Sequence, residues 1–131
     1  MRSISYPGLS TQDRPMGPAP LSAAVLNGPL LFISGQVGID PLTGRVAGDD
    51  IRAQTRQVLL NITSLVEAAG LTLPDVVKVG IFLTDPDDFA AMNEVYATFF
   101  APPFPARATV GIRLNDPRLR VEMDAIAMRA A

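Results

Sequence analysis

Val76-Val77-Lys78-Val79-Gly80-Ile81-Phe82-Leu83 runs without a break into Thr84-Asp85-Pro86-Asp87-Asp88-Phe89. The first eight residues are interrupted only by Lys78 and Gly80, so the strand they predict offers apolar side chains to both faces of a sheet. The next six form a helix start. Thr84 or Asp85 supplies the cap, Pro86 sits in the first turn, and Asp87 and Asp88 favour the positive end of the dipole. A two-sided strand delivered directly into a helix belongs to a mixed, layered fold.

Upstream of that strand, Ile51, Thr55, Val58, Leu59, Ile62, Leu65, Val66 and Ala69 recur at intervals of three and four. They predict an amphipathic helix capped by Asp49 or Asp50 and closed by Gly70, with Arg52, Arg56, Gln57, Asn61 and Glu67 on its wet face. Downstream, Phe89, Met92, Tyr96, Phe99 and Phe100 predict the buried stripe of a second helix, with Asn93 beside it, and Pro102-Pro103 ends that helix. Further out, residues 21–26 and 30–37 flank Asn27-Gly28, a strong hairpin signal, with Pro29 enlarging the turn. Asp40-Pro41-Leu42-Thr43-Gly44 reads as a second turn. At the other end, residues 106–112 and 119–128 read as strands joined by a turn around Asn115-Asp116-Pro117.

The expected order is β-β-α-β-α-β-β, an α+β mixed sheet with two helices packed on one face. The other face needs a partner, so self-association is expected. Residues 1–131 read as a single domain, with residues 1–20 an irregular Pro-, Gly- and Ser-rich arm carrying one short edge strand.

Composition removes whole classes of chemistry. The 131 residues contain no cysteine and no histidine, which excludes disulfides, thiolate nucleophiles, imidazole-based triads and the commonest zinc sites. Carboxylates, arginine, lysine, hydroxyls and the backbone are left to act. Capping accounts for the acidic cluster Asp85, Asp87 and Asp88 without a metal. A formal charge of -2 with no basic block gives little support for nucleic-acid binding. No apolar run is long enough to cross a bilayer, and Met1-Arg2-Ser3 is not followed by an apolar signal core, so a cytosolic location is expected.

Arg107 stands out as an arginine in an otherwise apolar strand. Alternation puts Arg107 and Thr109 on one face and Ala106, Ala108, Val110 and Ile112 on the other. In the last strand Leu119, Val121, Met123 and Ala125 alternate with Arg120, Glu122 and Asp124. If the two strands pair as a hairpin, Arg107 faces Asp124 and Thr109 faces Glu122. Two readings stay open on these residues: a structural ion pair, or a site where the guanidinium fork grips a ligand carboxylate. Ser34 reads as a strand-end hydroxyl, Gly35 as a position allowing close backbone approach, Tyr96 as helix core and Lys78 as water-facing.

Phe104-Pro105-Ala106-Arg107-Ala108-Thr109-Val110 followed by Val121-Glu122-Met123-Asp124-Ala125-Ile126-Ala127 resembles the C-terminal signature of the YjgF/Rid (reactive intermediate deaminase, RidA-like) family. Ile33-Ser34-Gly35-Gln36-Val37, Asp40-Pro41-Leu42-Thr43-Gly44, Val66-Glu67-Ala68-Ala69-Gly70, and Asp88-Phe89 with Asn93-Glu94-Val95-Tyr96 resemble further motifs in register, over roughly residues 22–129. The resemblance implies a chorismate-mutase-like fold of the bacillus type and a homotrimer with clefts between subunits. It also implies hydrolysis of reactive 2-enamine and 2-imino acids, such as 2-aminoacrylate, to 2-keto acids and ammonia without metal or cofactor. By the same resemblance Arg107 anchors the carboxylate, Glu122 positions or activates water, Ser34 and the Thr109 backbone lie around the reacting carbon, Gly35 is among the substrate-binding residues, and Asn93 lies near the cleft. An imine is already electrophilic, so orientation and modest proton transfer suffice without histidine.

Two positions depart from the pattern: Leu21 stands where the family's deaminases often carry tyrosine, and Thr109 where cysteine is common. A non-catalytic trimeric module that binds small carboxylates, or acts in a chaperone-like way, is the alternative. Ribonuclease activity, attributed to some members, is disfavoured by the acidic composition.

Overall fold

The computed structural model describes residues 1–9 and 19–131. Part of the expected irregular arm, residues 10–18, lies outside the described residues. The elements are β1 (Arg2–Ile4), β2 (Ala24–Asn27), β3 (Leu30–Val37), α1 (Ile51–Ala68), β4 (Val76–Leu83), α2 (Phe89–Phe99), β5 (Ala106–Gly111) and β6 (Val121–Met128). The strands form one six-stranded mixed sheet in the order β1-β2-β3-β6-β4-β5. All neighbours are antiparallel except β4 and β5, which run parallel. The expected α+β architecture is present, with β1 added at the sheet edge.

The local signals act as the chain chemistry demands. Asp50 caps α1 by accepting a hydrogen bond from the Ala53 amide at 2.8 Å, and Gly70 follows its end at φ +81°. Every apolar position expected on α1 is buried, down to Ala69 just past its last turn. Each fully buried Leu, Ile or Val there contributes about 1.5–3 kcal/mol relative to exposure, which is what fastens α1 to the sheet. Asn61, expected on the wet face, is instead buried. Its amide donates to the Val37 and Ile39 carbonyls, satisfying the backbone where the chain leaves β3. Asn27 pairs directly with Leu30, so Pro29 does not enlarge the first hairpin turn.

The acidic cluster is structural. Asp85 caps a short 3-10 turn, Pro86–Asp88, that leads into α2, and Asp88 pairs with Arg120 at 3.1 Å. On α2, Met92, Tyr96 and Phe100 are buried as expected, but Phe89 is 46 % exposed.

Both helices cover the same sheet face, and the opposite face stays open. Across β3, β6, β4 and β5 the open face carries the rows Phe32, Ile126, Lys78, Ala106 and then Glu122, Phe82, Val110. Phe32, Val110 and Met128 are exposed there. Among the described residues no helix is long and apolar enough to cross a membrane.

Candidate functional site

Pro105 forces an extended approach from Phe104, and β5 begins at the next residue. Arg107 pairs in register with Val79, which pairs with Ala125, which pairs with Ile33. Side chains along such a row share a face, so Arg107 lies on the helix-covered side, at the outer edge of the sheet beside α2. Thr109 shares that face one step along, in the row of Ile81 and Met123.

The expected hairpin between the strands carrying Arg107 and Glu122 does not form. β4 lies between them. Asp124 pairs with Gly80 and Glu122 with Phe82, so neither carboxylate faces Arg107 or Thr109. The reason lies in β4 itself: a strand apolar on both faces takes an interior position in the sheet. The connection over residues 112–120 passes its end, where the Ile112 amide donates to the Leu83 carbonyl and the Thr84 amide to that of Arg120. Glu122 and Asp124 consequently project from the open face, and Arg107 from the opposite one.

Arg107 therefore has no ion pair among the described residues. The salt bridges among the described residues join Arg52 to Glu94, Arg118 to Asp116 and Arg120 to Asp88. Its guanidinium carbon lies instead 5.0 Å from the centre of the Tyr96 ring and 5.6 Å from that of Phe89. Beside it opens a recess of about 350 Å³ lined by Asn93, Tyr96, Ala97, Phe104, Pro105 and Arg107. The Asn93 side-chain oxygen and the Tyr96 hydroxyl are buried there without a hydrogen bond to any described group. Burial pushes the Tyr96 phenol up, and the charge of Arg107 partly offsets this.

A second grouping forms on the open face. β3 carries an irregularity between Ile33 and Gln36 that contains Ser34 and Gly35. A methyl group on Gly35 would sit 2.7 Å from Glu122 Oε2, so only glycine lets that carboxylate lie against the backbone. Gly80 plays the same part beneath Asp124. Burial pushes the Glu122 carboxyl above the usual range, and the neighbouring charge of Asp124 pushes it further. The Ser34 hydroxyl donates to the Ser22 carbonyl at 2.6 Å, and its amide to Ala23, which ties β3 to the segment entering β2.

One chain thus brings Gly35 to Glu122, and Arg107 to Asn93 with Thr109 nearby. It does not bring Arg107 to Glu122. Phe89 and Tyr96 were missed as neighbours of the arginine because helical periodicity marks both as core. Their spacing of two turns, facing a lone strand arginine, was the available signal. No cluster of three or more Asp, Glu, His or Cys side chains among the described residues could hold a metal ion.

The family described as Endoribonuclease L-PSP matches residues 11–129. A RutC family protein of Pyrococcus horikoshii is 46 % identical over 119 residues, covering 91 % of this chain and 94 % of the relative. A 2-iminobutanoate/2-iminopropanoate deaminase of Salmonella typhimurium is 40 % identical over 124 residues, covering 92 % and 96 %. The crystal structure of E. coli TdcF with bound serine superposes with a TM-score of 0.85 at 36 % identity, covering 99 % of this chain and 100 % of that one. The chain belongs to the YjgF/Rid family, which also carries the description Endoribonuclease L-PSP.

Proposed function

We propose that the protein hydrolyses reactive 2-enamine and 2-imino acids to 2-keto acids and ammonia, at a cleft assembled between copies in a homotrimer. The observation that carries this reading is Arg107: a guanidinium beside an open recess, with no carboxylate among the described residues paired to it. A substrate carboxylate fits that fork in bidentate fashion. Arg107 and Glu122 occupy opposite sheet faces, so the proposed site takes Arg107, Asn93 and Thr109 from one copy and Glu122, Gly35 and Ser34 from the next. The exposed apolar residues around Glu122 support burial of the open face against that neighbour.

In the proposed reaction the enamine first tautomerises to the imine. Water then adds to the carbon of the protonated imine as Glu122 takes a proton from it, so that a C–O bond forms, the C=N π pair moves to nitrogen and a carbinolamine results. Glu122 returns the proton to nitrogen, and the C–N bond breaks as the hydroxyl oxygen forms the C=O bond, releasing ammonia and the 2-keto acid while the hydroxyl proton passes to Glu122 and on to solvent. A carboxyl raised toward neutrality by burial is better matched to both transfers than an ordinary glutamate. The named activity of the Salmonella relative and the serine bound to TdcF support a substrate of amino-acid size. Leu21, exposed where a tyrosine is common, favours a second reading in which carboxylates bind without turnover.

A coupled assay with freshly generated 2-aminoacrylate separates the two. Accelerated ammonia release that disappears in Arg107→Ala, with assembly intact, supports deamination. Binding of a 2-keto acid without acceleration supports the second reading.

Two further results are expected. Glu122 must be ionised to act as base, so kcat/KM should fall as pH drops through a pKa above the usual glutamate range. In Asp124→Asn the loss of a neighbouring negative charge should move that acid limb to lower pH, as read from pH–rate profiles; an unmoved limb would remove Glu122 from the reaction or Asp124 from its environment. Gly35→Ala should displace the Glu122 carboxylate by about an ångström, lowering kcat on the order of 10²-fold, while melting temperature changes little because the displaced group is the end of a flexible side chain.

A further inference from the structure

Any arginine that is to grip a ligand must be held in place, and the usual holder is a carboxylate. A carboxylate, however, occupies the in-plane N–H donors and cancels the charge that the ligand needs. An aromatic face avoids both effects. It attracts the cation through the ring quadrupole, and its contact is with the π-face of the guanidinium, leaving the donors at the rim uncommitted.

Arg107 has two aromatic rings beside it and no paired carboxylate among the described residues. Tyr96 and Phe89 lie 5.0 and 5.6 Å from the guanidinium carbon, both within the reach of a cation–π contact of about 6 Å. They are seven residues apart on α2, which places them two turns apart on one helix side. Tyr96 is only 5 % exposed and its ring packs on Phe100 with centroids 4.7 Å apart, so it is a fixed platform. Phe89 is the reverse. It departs from the buried stripe that helical spacing predicts, and the contact with Arg107 accounts for a large apolar ring left half in solvent.

We propose that Phe89 and Tyr96 are positioning residues that clamp Arg107 between helix and sheet, presenting an un-neutralised guanidinium to the carboxylate of a small 2-keto or 2-imino acid. This rests on the assignment of Arg107 as the carboxylate anchor. Neither ring touches the reacting atoms in this account; both act through the arginine. The consequence is a loss expressed in affinity. Carboxylate binding is common to ground and transition states, so loosening the clamp raises KM and leaves kcat nearly constant.

The test uses Phe89→Leu, which keeps apolar bulk at a half-exposed position, with Phe89→Tyr as the conservative control and pyruvate as the probe. Calorimetry should show Kd for pyruvate rising about threefold to tenfold in Phe89→Leu, and KM for 2-aminoacrylate rising in parallel, with kcat within about twofold. Phe89→Tyr should restore both. In an Arg107→Ala background Phe89→Leu should have no further effect, because the ring acts only through the guanidinium. If Phe89→Leu binds pyruvate like the parent while Arg107→Ala does not, the clamp is overturned and the carboxylate anchor stands. If Arg107→Ala also binds pyruvate like the parent, the anchor itself fails and the clamp with it. A fall in kcat at constant KM would equally overturn the clamp.

Discussion

Arg107→Ala is expected to lower kcat/KM for 2-imino acids on the order of 10²- to 10³-fold, mostly through KM. Two charge-assisted hydrogen bonds to a substrate carboxylate are lost together, about 3–4 kcal/mol, and each 1.4 kcal/mol is a factor of about ten. Arg107→Lys should recover little. An ammonium retains the charge but cannot present two parallel donors, and it is more strongly hydrated in the free protein. The fold should survive either change, because among the described residues no ion pair or side-chain hydrogen bond of Arg107 holds β5 to the rest of the sheet. Steady-state kinetics with a melting curve on the same preparations checks this; an Arg107→Lys variant with parental KM would make the arginine a structural residue.

Glu122→Gln should fail in the opposite parameter. Removing the group that moves a proton costs about 10²- to 10⁴-fold in kcat, with little change in pyruvate affinity. The same variant makes a stability prediction whose sign follows from burial. The folded-state pKa of Glu122 is raised above its unfolded value. Its favourable contribution is therefore complete only below the unfolded pKa and is lost as pH rises through the folded one. Above that range the parent carries a half-buried carboxylate beside Asp124, and glutamine does not. Glu122→Gln should thus melt at or above the parental temperature at pH 8, and the advantage should vanish in acid. A variant that is both inactive and markedly less stable at pH 8 would contradict the assigned role.

The order of elements was legible because each rested on a local rule. Asp50, Gly70, Asp85 and the apolar spacing of α1 all act within a turn or two of their own position. The neighbours of each strand were less legible. Whether β6 pairs with β5 or passes it depends on which strand gains most from an interior position, and β4 settles that with apolar side chains on both faces. The misplaced hairpin then misplaced the candidate residues, since inserting one strand leaves Arg107 and Glu122 on opposite faces. Gly35 could be read as a point of close approach, but the group approaching it, Glu122, comes from a strand 85 or more residues away in register, beyond any local pattern. Phe89 was assigned to the core because periodicity cannot distinguish a ring packed on leucine from one packed on a guanidinium.

The proposed site spans two copies because Arg107 and Glu122 lie on opposite faces of one sheet. Mixing Arg107→Ala and Glu122→Gln proteins under conditions of verified subunit exchange measures it directly. In a closed ring with one site per interface, random assembly at equal amounts pairs an intact Arg107 with an intact Glu122 at roughly a quarter of interfaces. At substrate concentrations below the parental KM, ammonia release from 2-aminoacrylate should accordingly recover to about a quarter of the parental rate, although each variant alone falls about a hundredfold or more below it. Exchange without any recovery would contradict the account, because it would place both groups of each working site on a single chain.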